Sequence, residues 1–211
     1  SSDLIIGFSD ITILHQLAAA KGVPSLHGLM CKHLATLPEE SEPVRFWKAA
    51  LKGERLRYGV EHHPLNRAGQ AQGMVRGGNL SVLYGLQGTP WGLDAAMRYQ
   101  RAEGGCLADD TILFIEDIAE RHYHIERMLL SLKMSGVLGH LKGLIVGQFS
   151  DCEDDVTMGE TIYETIRRIV DDYDYPVLFH FPAGHVDYNL PLWLGKKACL
   201  RVGDQTELVY E

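Results

Sequence analysis

The chain has 211 residues, 45% of them apolar and 23% charged, a balance that excludes wholesale disorder and collagen-like repeats. Its formal net charge is -8, from 28 acidic and 20 basic residues. The bases are scattered, with Arg167-Arg168 and Lys196-Lys197 the densest runs, so nucleic acid is not an expected partner. No apolar run approaches the ~20 residues that cross a bilayer, and no membrane association is expected. The cysteines Cys31, Cys106, Cys152 and Cys199 form no C-x-x-C pair and read as free thiols in a reducing compartment.

In chain order, Leu4-Ile5-Ile6-Gly7 reads as the end of a buried strand, with Asp10 as the cap of the helix that follows. Ile11, Leu14, His15, Leu17 and Ala18 recur at helical spacing up to Gly22. A short strand from Val23 to Leu26 and a turn at His27-Gly28 come next. Strand, helix, strand in quick succession predicts part of a parallel α/β sheet. Ser41-Glu42-Pro43 opens another helix, with Val44, Phe46, Trp47 and Leu51 as its apolar positions. From Glu54 to Gln72 the pattern fades into polar residues with Pro64 and Gly69, and this stretch reads as a linker.

Beyond it, Gly73 to Leu86 passes from a strand through Gly77-Gly78-Asn79 into a helix. Strands are predicted at Thr111–Ile115, Leu144–Phe149 and Val177–Phe179, and helices from Ile125 to Gly136 and from Thr161 to Val170. The fold class is therefore α/β. The expected parts are residues 1–42 as the tail of an N-terminal parallel α/β domain, 43–72 as helix and linker, and 73–211 as a C-terminal α/β domain.

Three places could carry chemistry. Glu116-Asp117 follows the apolar run Ile112–Ile115, at the carboxyl end of a strand where open sheets bind ligands. A solvated acid or a helix cap is the alternative there. His185 sits in Phe181-Pro182-Ala183-Gly184-His185, just past a strand, where an imidazole can serve as a general base or can simply bond a nearby carbonyl. Gly7-Phe8-Ser9-Asp10-Ile11 looks like half of a G-x-S-x-G nucleophile elbow, but Ile11 stands where the second glycine belongs. That favours Ser9 as a turn or cap residue. Gly77-Gly78-Asn79-Leu80 matches no nucleotide motif, and a tight approach to another strand explains it as well as anion binding does. The histidines show no metal-ligand spacing: His122 and His124 lie two apart on one helix, and His62-His63 are adjacent.

Six segments in order, taken together, resemble the LD-carboxypeptidases, whose wider family includes microcin C immunity peptidases. They are Gly7-Phe8-Ser9-Asp10-Ile11-Thr12 with His15, His27-Gly28, Gly77-Gly78-Asn79-Leu80-Ser81, Leu113–Ile118, Ile125-Glu126-Arg127-Met128-Leu129 and Pro182-Ala183-Gly184-His185. The resemblance implies a Ser–Glu–His peptidase with Glu116 as its glutamate and His185 as its histidine. The implied substrate is a murein tetrapeptide, which loses its terminal D-alanine, and no metal or organic cofactor is required. A cytoplasmic homodimer is implied as well. In the family the nucleophile lies in a glycine-rich turn upstream of the segment matching Gly7-Phe8-Ser9-Asp10, so the chain is expected to lack it and to be inert alone. The rival expectations are an immunity peptidase acting on a peptidyl-nucleotide, and a non-catalytic α/β binding module.

Overall fold

A computed structural model describes residues 3–95 and 110–211. Cys106 lies outside the described residues. The expected α/β class is borne out by two sheets and the helices packed on them. A small sheet joins β1 (Ile6–Gly7) in parallel to β2 (Ser25–His27), and β2 in turn pairs antiparallel with β8 (Leu192–Leu194). The larger sheet has seven strands in the order β3-β10-β9-β4-β5-β6-β7. Its parallel half is β4 (Gly69–Asn79), β5 (Thr111–Ile118), β6 (Gly143–Ser150) and β7 (Val177–Leu178). Its antiparallel half is β9 (Lys197–Val202), β10 (Thr206–Tyr210) and β3 (Arg57–Val60).

The core follows from the two-residue period of strands. Leu113 and Ile115 of β5, Leu144 and Val146 of β6, and Val177 of β7 face one cluster. Three helices cover that cluster: α4 (Leu80–Gly85), α5 (His122–Met134) and α6 (Ile162–Ile169). Ile112, Phe114, Ile145 and Leu178 alternate onto the opposite face, where they pack with Leu26, Leu190, Leu192 and Trp193. Helix α6 shows how sequence makes its element. Thr161 and Glu164 form a reciprocal capping box, and Ile162, Thr165, Ile166 and Ile169 form the buried stripe.

Gly77 lets β4 reach β5. A Cβ built there would lie 1.9 Å from the Phe114 carbonyl oxygen, and its φ of 127° suits only glycine. Gly78 likewise accommodates Thr12 of α1 (Thr12–Ala20), whose Oγ1 accepts a 3.0 Å hydrogen bond from the Asn79 N–H. The Gly77-Gly78 pair thus serves close backbone approach.

Several expectations need correction. The stretch from Glu54 to Gln72, read as a linker, holds β3 and the first residues of β4. Its polar character reflects an edge strand in which Arg57 and Gly59 are exposed while Tyr58 is buried. Asp10 caps nothing: it lies in a 3₁₀ turn, Ser9–Ile11, and α1 begins without a side-chain cap. The buried face of α1 is Thr12, His15, Gln16 and Ala18, while Leu14 is 42% exposed. That face meets the polar end of β4, where Gln16 Nε2 donates to the Gly77 carbonyl, so polar residues occupy it. His27 is the last residue of β2 and is fully buried. Two helices flank the segment after it: α2 (Cys31–Thr36), unread in the sequence, and α3 (Glu42–Leu51), which begins as expected with Pro43 in its first turn.

Candidate active site

The sequence places two carboxylates side by side, and the pleat separates them. Glu116 continues the face of Ile112 and Phe114, and is wholly buried. A register shift between Ile115 and Asp117 places a bulge beside Glu116, beyond which Asp117 and Ile118 resume pairing with Phe149 and Ser150 of β6. Asp117 turns to the helix side and ties down the start of α4. It accepts from Asn79 Nδ2 at 2.9 Å, from the Ser81 N–H at 2.9 Å and from the Ile118 N–H at 2.9 Å. Asn79 Oδ1 caps Val82 N–H at 3.2 Å. Burial outweighs these bonds and pushes the Asp117 carboxyl up to about 6. Of the adjacent acids, then, one caps a helix and the other faces the opposite side of the sheet.

His185 reaches Glu116 because its loop is laid along β6. The Phe181 N–H donates to the Val146 carbonyl at 3.0 Å, and the Gln148 N–H donates to the Ala183 carbonyl at 2.9 Å. Gly184, at φ 138°, then turns the chain toward β5, and a Cβ there would stand 3.1 Å from Glu116 Oε2. The outcome is a 2.8 Å hydrogen bond from His185 Nδ1–H to Glu116 Oε2. The carboxylate is fully buried and the imidazole is 14% exposed. The tautomer with its proton on Nδ1 leaves the Nε2 lone pair free to take a proton. Burial raises the Glu116 carboxyl, but the hydrogen bond and charge of His185 and the nearby His27 outweigh it and leave the group below the usual carboxylate range. Glu116 is therefore an anion at neutral pH, stabilised from its imidazole side.

Two more rings close around the pair. Phe8 sits edge-on to His185, ring centroids 4.8 Å apart, and lies 5.8 Å from His27. His27 packs edge-on to Phe114 at 4.9 Å, with its Nε2 3.9 Å from Glu116 Oε1. Behind them His15 is fixed by two bonds. Its Nε2–H donates to the Gly7 carbonyl at 3.0 Å, and its Nδ1 accepts from Ser25 Oγ at 2.8 Å. Burial foremost, and His27 in lesser degree, hold its pKa down to about 4 against the bond to Gly7. Sequence reasoning passed over His27, because a histidine before a glycine reads locally as a turn. Only the pairing of β2 between β1 and β8 brings it to Glu116.

Ser9 stands between β1 and α1 with φ 65°, a backbone setting that costs a non-glycine residue of order 1–3 kcal/mol. Among the described residues no hydrogen bond joins it to His185. A cleft of about 570 Å³ opens along the same loop, between His180, Pro182 and Tyr188 on one side and Glu42 and Tyr58 on the other. Glu116 and His185 do not line it. Among the described residues no group of three or more histidine, cysteine or acidic side chains could hold a metal ion. His122 bonds Thr165 and His124 bonds Glu120, on separate faces of α5. No helix of the described residues is long and apolar enough to cross a membrane. Cys31, Cys152 and Cys199 are free thiols, and burial pushes the Cys152 thiol up to about 11.

Known proteins resemble the chain throughout. It is 30% identical over 96% of its length to a probable murein peptide carboxypeptidase of Bacillus subtilis, and covers 61% of that protein. It is 29% identical over 93% of its length to the murein tetrapeptide carboxypeptidase of Pseudomonas aeruginosa, covering 62% of it. The solved muramoyltetrapeptide carboxypeptidase of Oxalobacter formigenes superposes with a TM-score of 0.81 at 27% identity, over 99% of this chain and 68% of that one. The chain thus spans about three fifths of the length of the curated relatives it matches. Residues 72–200, which hold β5, the 181–185 loop, Glu116 and His185, match the LD-carboxypeptidase C-terminal domain, and the chain belongs to the LD-carboxypeptidase family.

Proposed function

We propose that these residues form the acid–base half of a serine-dependent LD-carboxypeptidase that releases the terminal D-alanine of murein tetrapeptides. The observation that carries this assignment is the 2.8 Å bond from His185 Nδ1 to a fully buried Glu116 at the end of a parallel strand. The serine attacks the scissile carbonyl while His185 Nε2 takes its proton, and His185 then protonates the leaving amine of D-alanine. Glu116 keeps the imidazole in the tautomer that leaves Nε2 free and stabilises the imidazolium. Two relatives named for murein peptides support the substrate.

By the family resemblance the attacking serine is assigned to the glycine-rich turn that precedes the segment matching Gly7-Phe8-Ser9-Asp10, with Ser9 as a strained turn. Ser9 is the competitor to eliminate, since a positive φ between strand and helix is what an elbow has. The test measures D-alanine release from murein tetrapeptide by the protein as its gene encodes it. His185→Ala and Glu116→Gln are expected to lower kcat by roughly 10³-fold or more, as loss of triad members does. Ser9→Ala is expected to keep substantial activity. Undiminished release by His185→Ala overturns the assignment of the base, and abolition by Ser9→Ala overturns that of the nucleophile. A chelator is expected to leave release unchanged, and a loss restored by zinc would refute the serine mechanism in favour of a metal one.

A further inference from the structure

We infer that His27 is a positioning residue for the same site, donating its Nε2–H to Glu116 Oε1 while His185 holds Oε2. The inference rests on the function proposed above and adds a second histidine to the glutamate. The contacts around Glu116 are lopsided: Oε2 is bonded to His185, whereas Oε1 is buried without a hydrogen-bond partner among the described residues. An ionised carboxylate accepts at both oxygens, and a buried acceptor left empty is costly. Facing it is His27, itself fully buried, with neither Nδ1 nor Nε2 bonded among the described residues. The orphaned Nε2 and Oε1 stand 3.9 Å apart, beyond a hydrogen bond, but a catalytic contact that is loose without substrate can tighten to ~2.6–3.2 Å when substrate is bound.

The surroundings leave His27 few other choices. Its strand is the middle one of three, registered His27 to Gly7 on one side and to Leu192 on the other, so the backbone is held from both edges. Phe114 and Phe8 flank the ring and offer it no acceptor oxygen. The nearby His15 is already committed to Ser25 and Gly7. With both oxygens engaged, the Glu116 carboxylate cannot rotate about its last bond, and Oε2 stays aimed at His185 Nδ1. A donor on Oε1 also draws charge from Oε2, which moderates the grip on His185.

The test uses the protein as its gene encodes it, with His27→Phe, which keeps a ring and removes the donor, and His27→Gln, which keeps a donor. Two readouts are taken: kcat and KM for D-alanine release, and the proton resonance of the His185 Nδ1–H. His27→Phe is expected to lower kcat about tenfold, ~1.4 kcal/mol, with KM within about twofold. It should also shift the His185 resonance downfield, because the carboxylate becomes a stronger acceptor. His27→Gln is expected to recover most of the kcat and most of the shift. Wild-type kinetics and an unmoved resonance in His27→Phe overturn the inference, as does a loss that His27→Gln fails to recover. Unfolding of both variants overturns it in favour of a packing role. If the unmodified protein releases no D-alanine, the proposed function fails, and the resonance alone then decides whether His27 holds Glu116.

Discussion

Acid should weaken this fold through one buried histidine, and the loss can be isolated by a single substitution. His15 is fully buried, neutral, and bonded at both ring nitrogens. Burial is the main reason its folded pKa is about 4, against 6.5 in the unfolded chain. The unfolded state therefore takes up a proton between these values while the native state does not, so stability falls as pH drops through that window. At 1.36 kcal/mol per pKa unit, the span from pH 7 to pH 5 costs about 2 kcal/mol, and the full span roughly 3 kcal/mol. Asp117 acts in the opposite sense. Its carboxyl, raised by burial to about 6, favours the native state as pH falls. The wild-type curve alone therefore mixes the two effects. His15→Gln separates them, because its amide can donate to Gly7 and accept from Ser25 but does not titrate. Urea denaturation at pH 7 and pH 5 is the assay. Wild type should lose about 2 kcal/mol more than the variant between the two pH values, or about 1 M in midpoint at an m-value near 2 kcal/mol/M. Parallel pH dependence of the two proteins would refute a neutral His15 in the native state.

Three further outcomes are expected. Gly77→Ala puts a Cβ 1.9 Å from the Phe114 carbonyl oxygen and should cost about 4 kcal/mol or more, read as loss of soluble, folded protein by circular dichroism. Asn79→Ala removes the cap on Val82 and a donor to Asp117, so the urea midpoint should fall by the equivalent of about 1–2 kcal/mol. Ser9→Gly relieves a residue at φ 65° and should raise stability by about 1 kcal/mol, with D-alanine release retained. A Ser9→Gly protein that is inactive but fully folded would restore Ser9 as the nucleophile.

The parallel half of the large sheet was legible because its strands are buried on both faces and read as unbroken apolar runs, such as Ile112-Leu113-Phe114-Ile115. The antiparallel half was not. Lys197–Val202 alternates exposed Lys197 and Arg201 with buried Ala198, Leu200 and Val202, and Leu192–Leu194 is three residues long. Such short or half-polar strands resemble loops until a partner strand is known. In the site, the residue types of Glu116 and His185 were readable, but their partnership came from the family resemblance, since nothing local joins residues on different elements. Asp117 was indistinguishable from Glu116 in sequence; the pleat assigns them opposite faces. His27 was hidden for a related reason, as its neighbours come from β1, β5 and β8.

The small sheet also constrains the order in which the chain can fold. Its middle strand, residues 25–27, is completed on one side by residues 192–194, which lie near the other end of the sequence. On a ribosome that strand, with His27 on it, waits through the synthesis of about 165 further residues for its second neighbour. Closing so long a loop is entropically slow, and contacts of large sequence separation slow folding. The geometry around Glu116 therefore forms late, after the parallel strands and their helices have condensed. A chain stopped short of residue 192 could assemble much of the large sheet and still leave His27 without its antiparallel partner strand.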